Sequence, residues 1–116
     1  MDDIYNKLNI IWAFDNPGTF KYIITPLIVD ALKRPGKYAQ LTLLGATTKL
    51  VAEQEKVQDD LRKLIEQGLT VVACKESVEL HKVHEKLEAL GGIEIKQLAK
   101  RALDDSSGPD EKIMML

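Results

Sequence analysis

Leu64-Ile65-Glu66-Gln67-Gly68-Leu69-Thr70-Val71-Val72-Ala73-Cys74-Lys75-Glu76-Ser77 contains the end of one helix, a whole strand and the start of the next helix. Val57, Leu61, Leu64 and Ile65 recur at the three-four spacing of one buried helix face. Gly68 ends that helix, because without a Cβ it can take the left-handed conformation usual just past a helix terminus. Residues 69–73 are apolar and β-branched enough to form a strand. Ser77 is then expected to cap a helix with Leu80, Val83, Leu87 and Leu90 on one side, closed by Gly91-Gly92.

The same alternation runs outward from this stretch. Residues 8–14 form a first strand, followed by the turn formers Asp15-Asn16-Pro17-Gly18. Thr19 is expected to cap a helix whose apolar positions Phe20, Ile23, Ile24, Leu27, Ile28, Ala31 and Leu32 share a face, with Lys33, Arg34, Pro35 and Gly36 closing it. Pro26 inside that pattern predicts a kink, or a restart with Thr25 as the cap. Residues 39–44 form a second strand ended by Gly45. Residues 46–53 are open between a helical turn and an extended excursion. Residues 93–98 form a fourth strand, residues 104–109 a polar loop, and Ile113-Met114-Met115-Leu116 a fifth strand or a docked tail. No internal repeat is present. Strands alternating with helices imply parallel pairing through right-handed crossovers, so the loops after the strands gather at one rim. Asp15, Asn16, Gly45 and Cys74 are the residues expected there.

The bulk numbers limit what such a domain does. A length of 116 residues predicts one domain, residues 1–116, since domains commonly run to roughly 100–150 residues. Sixteen basic against eighteen acidic residues give a formal charge of -2, which argues against nucleic acid or anionic lipid as a partner. No apolar run approaches the ~20 residues of a membrane span, and Met1-Asp2-Asp3 is acidic where a secretory signal is basic. The expectation is a cytoplasmic protein with no membrane association. One cysteine and two histidines exclude an intramolecular disulfide and a cysteine-rich zinc site within one chain. No metal or cofactor is expected.

Cys74 has two readings. Just ahead of a helix, unpaired amides and the helix dipole favour its thiolate, with Lys75 adding positive charge, and a thiolate attacks sulfur donors. Equally, cysteine is among the most buried residue types and can serve as a small apolar side chain. His81 and His84 lie one to two turns downstream and read as surface histidines. The loop from Asp15 to Thr19 has the place of a phosphate loop without its repeated glycines or its lysine, so a nucleotide is weakly supported. Gly45-Ala46-Thr47-Thr48-Lys49 reads as a strand exit with hydroxyl caps, and the charge-rich run 53–63 as a solvated helix face.

The first strand followed by Asn16-Pro17, the second ending Leu43-Leu44-Gly45, and the run from Gly68 to Ser77 resemble the DsrE/DsrF-like family of small sulfur-relay proteins. The resemblance covers residues 8–98, and Leu87, Leu90 and Gly91-Gly92-Ile93-Glu94-Ile95 are similar to the family's following helix and strand. It implies a three-layer α/β sandwich around a central, mainly parallel five-stranded sheet, of flavodoxin-like or DsrE-like type. It further implies assembly into trimers or hexamers, with a cysteine after the third strand that accepts and passes sulfur as a persulfide. Cys74 matches that cysteine. Lys75 and Ser77 are expected to support it, with Asp15, Asn16 and Gly45 as rim or ligand-binding residues and sulfur donor and acceptor proteins as partners. The alternative is a non-catalytic oligomeric module that binds a ligand or a protein.

Overall fold

The computed structural model describes residues 7–34, 38–97 and 111–116. Its strands are β1 (Lys7–Trp12), β2 (Tyr38–Leu43), β3 (Thr70–Cys74), β4 (Ile93–Lys96) and β5 (Glu111–Met115). They form one sheet in the order β4-β3-β2-β1-β5, and every pairing is parallel. The apolar terminus, open between strand and tail, is a strand. The N–H of Leu116 donates to the Ile11 carbonyl at 2.8 Å, and the N–H of Ala13 donates to the Leu116 carbonyl at 2.8 Å. β4 and β5 stand at opposite edges, and the connection between them, with the expected polar loop 104–109, lies outside the described residues. Pro35, Gly36 and Leu98 also lie outside them.

Between the strands run α1 (Pro17–Thr19), a π-helix (Phe20–Ile24), α2 (Thr25–Leu32), α3 (Ala46–Glu53), α4 (Glu55–Glu66), α5 (Lys75–His81) and α6 (His84–Leu90). Several local expectations are corrected here. The cap of the first helix is Asn16 rather than Thr19: Asn16 Oδ1 accepts from the Gly18 N–H at 2.7 Å, and Pro17 fills the first helical position, where a missing N–H is harmless. Pro26 is accommodated by a widened turn, in which the Thr25 N–H donates to the Phe20 carbonyl five residues back. That turn relieves the pressure a proline ring puts on the carbonyl four residues earlier. Thr25 is itself helical and caps nothing, and its hydroxyl is buried without a partner among the described residues. The open stretch 46–53 is helix α3.

The helix expected after Cys74 is two helices. Lys82 takes a left-handed conformation (φ 56), and the Val83 N–H reaches back to the Val78 carbonyl at 3.1 Å. This resets the helical phase. Val78, Val83 and Leu87 are buried, while Leu80, expected on the inner side, is 76% exposed.

Along β1, β2 and β3 the residues Leu8, Ile10, Trp12, Ala39, Leu41, Leu43, Val71 and Ala73 share one face and one hydrophobic cluster with the helices. α2 supplies Ile28 and Ala31, α4 supplies Val57, Leu61 and Leu64, and α6 supplies Leu87. Ile93 and Ile95 of β4 and Met114 beside β1 extend it. Ile11, Thr42, Val72 and Cys74 are buried but alternate with those residues, so they look out from the opposite face. No helix among the described residues is long and apolar enough to cross a membrane.

Candidate functional site

Because all strands point the same way, the turns that follow them gather along the carboxyl rim of the sheet. Two of these turns are tied to the strands by threonine. Thr47 Oγ1 lies 2.9 Å from the Trp12 carbonyl and 2.8 Å from the Leu44 carbonyl, fixing the exits of β1 and β2 together. Thr48 Oγ1 donates to the Gly45 carbonyl at 2.7 Å. The hydroxyls after Gly45 therefore bind carbonyls at the strand exit. Gly45 has φ 62 and ψ -134, a region closed to residues with a Cβ, which explains a glycine here. Trp12 is buried beneath the rim, stacked on Phe20 with ring centroids 5.2 Å apart, and its Nε1 donates to the Phe14 carbonyl. Phe14 itself, expected in the first strand, lies beyond it and is exposed.

Cys74 is the last residue of β3 and the capping residue of α5, with φ -68 and ψ 121. The helix begins immediately after it rather than at Ser77. Cys74 makes no side-chain capping bond to the first amides of α5. The thiol is free, and the residue is 5% exposed in the single chain. In register it stands beside Lys96 of β4, whose ammonium lies 3.5 Å from Glu94. Lys75 and Glu76 are exposed on the first turn of α5.

Ser77 lies inside α5, and its Oγ accepts from the Gly45 N–H at 2.8 Å. This bond joins the β2 exit to the helix that Cys74 opens, so Ser77 acts as a strut between turns, a role its sequence spacing did not reveal. Gly45 and Ser77 are thus brought together beside Cys74. Asp15 and Asn16 are not. β1 is two strand spacings from β3, about 10 Å, and Asp15 instead lines a cleft of about 210 Å³ with Ala46, Lys49, Glu53 and Gln54. Asn16 is spent on the α1 cap. His81 is half-buried, and His84 is exposed with Nδ1 3.6 Å from Glu88. Among the described residues no group of histidine, cysteine and carboxylate side chains could hold a metal ion.

No protein-family profile and no curated protein sequence matches the chain. Solved structures do. The chain is similar to BT1422 from Bacteroides thetaiotaomicron, a conserved protein of unknown function, with a TM-score of 0.83 and 26% identity over 96% of this chain and 95% of that one. It is also similar to the ychN protein of E. coli, with a TM-score of 0.69 and 18% identity over 95% of this chain and 98% of that one. Neither description supplies a reaction. The likenesses bear out an α/β fold with a central five-stranded parallel sheet.

Proposed function

We propose that this chain is a DsrE-like sulfur carrier in which Cys74 accepts sulfur as a persulfide. The observation that carries the reading is the place of Cys74, at the end of β3 and in the capping position of α5. Amides without a side-chain acceptor favour an anion there, and both a thiolate and a persulfide are anions. In the reaction, the Cys74 thiolate attacks the outer sulfur of a persulfide or polysulfide donor. One S–S bond forms on Cys74, the donor's S–S bond breaks, and the donor leaves as a thiolate with the electron pair. Passing the sulfur to an acceptor thiolate is the same exchange in reverse. Lys75 adds positive charge next to the site, and the Ser77 strut holds α5 against the β2 exit.

The reading includes a homo-oligomer, trimer or hexamer, with donor and acceptor proteins as partners, in the cytoplasm, where free thiols persist. Support for association comes from β5, an outer strand on which Met115 is 63% exposed. The test is intact mass after treating the native protein with inorganic polysulfide. Wild type should gain the mass of sulfur, and Cys74→Ala should not. An unchanged wild-type mass counts against the proposal.

The 5% exposure of Cys74 favours a second reading, an oligomeric binding module in which the thiol packs as a small apolar group. On that reading iodoacetamide labels Cys74 only in urea, and Cys74→Ala costs about 1 kcal/mol of stability. Labelling of the native protein at a rate near that of the unfolded chain removes this reading and strengthens the first.

A further inference from the structure

Past Asp15, on the side of the rim away from Cys74, the start of the first helix and the start of α4 enclose a cleft of about 230 Å³. Phe20 and Val57, both buried, give it an apolar floor. Tyr22 stands at its mouth with 71% of its surface in water, and the Lys21 ammonium lies 5.4 Å from the Tyr22 ring centre. Lys56 and Asp60 complete the polar edge, and neither takes part in a salt bridge among the described residues. The charge-rich run 53–63 thus does more than solvate α4, since it turns two of its charged groups toward an apolar hollow.

We propose that this cleft binds a small aromatic carboxylate. The exposed Tyr22 ring at the cleft favours a flat apolar ligand, which would cover it. Two ammonium groups against one carboxylate leave the edge positive, which selects an anion over a cation. The volume is below the roughly 300–1,000 Å³ of sites for drug-sized ligands, so a single ring is the fitting size. The site shares no residue with the Cys74 junction, and it does not depend on the sulfur reading.

The test is a titration of the ¹⁵N-labelled whole protein, followed by amide shifts, with benzoate as probe and benzylamine as its counterpart of opposite charge. Benzoate should move the amides of Gly18, Tyr22 and Val57, with a Kd on the order of 1–10 mM, as expected for so small a ligand. Benzylamine should bind about threefold more weakly or worse. Lys56→Glu and, separately, Tyr22→Ala should each weaken benzoate by about threefold or more while leaving the rest of the spectrum in place. Cys74→Ser should bind benzoate like wild type, so failure of sulfur transfer leaves this result standing. The proposal is overturned if benzoate shifts do not cluster at the cleft, if benzylamine binds equally well, or if both variants keep the wild-type Kd.

Discussion

Leu41 and Thr42 are neighbours on β2 and both are buried, yet they look out on opposite faces of the sheet and into different chemistry. On the side of Leu41 the row is Ile10, Leu41, Val71 and Ile93, continuous hydrocarbon covered by helices. On the side of Thr42 the row is Ile11, Thr42, Val72 and Glu94, and a chain of side-chain hydrogen bonds runs through it. Tyr38 donates to Gln40 at 2.9 Å, Gln40 to Thr42 at 3.1 Å, and Thr42 to Asn9 at 3.4 Å. Cys74 belongs to this second face, through alternation with Ala73. The difference teaches that one face supplies an apolar core packed by helices, while the other combines buried apolar groups with a chain of hydrogen-bonded polar side chains. The residue proposed for chemistry belongs to the side that carries the polar chain.

Three substitutions test that division. The largest effect is expected from Leu41→Ala, which removes fully buried hydrocarbon from the covered face and should destabilise by about 3 kcal/mol, read as a lower urea midpoint. A loss under about 1 kcal/mol would mean that this face is not the main source of stability. Ser77→Ala comes next. It strips the Gly45 N–H of its acceptor and should cost about 1–2 kcal/mol, together with faster hydrogen exchange at the Gly45 amide. Unchanged exchange there would show that the turns after β2 and β3 are not linked by that bond. The smallest effect is expected from Thr42→Val, which keeps the shape but breaks the side-chain chain. Asn9 and Gln40 are only half-buried and can turn to water, so stability should change by less than about 1 kcal/mol. A loss comparable to that of Leu41→Ala would erase the distinction between the faces.

Much of the fold was legible in the sequence because it rests on local signals. The run from Leu64 to Ser77 revealed the helix end and the strand, since Gly68 and the β-branched strand residues act through their own backbone preferences, while the next helix starts at Lys75, ahead of the expected cap Ser77. The misreadings have different causes. Leu80 fits a continuous helical stripe, and only the left-handed turn at Lys82 removes it from the core. Thr19 is as good a cap by type as Asn16, but the position of Pro17 selected the asparagine. Pro26 announced an irregularity but not its form, a π-helix in which Phe20 and Ile24 are buried. At the candidate site Cys74 could be named from its place after a strand, but its burial could not. The strut from Ser77 to Gly45 joins residues 32 positions apart and leaves no mark in local spacing.

The sequence by itself determined the alternation of strands and helices, because this follows from periodicity and from the conformational limits of glycine and proline. Strand order, the split between two faces and the 5% exposure of Cys74 were decided only by the tertiary structure. They depend on which distant segments lie side by side, and a side chain's access to water is a property of its neighbours rather than of its own chemistry.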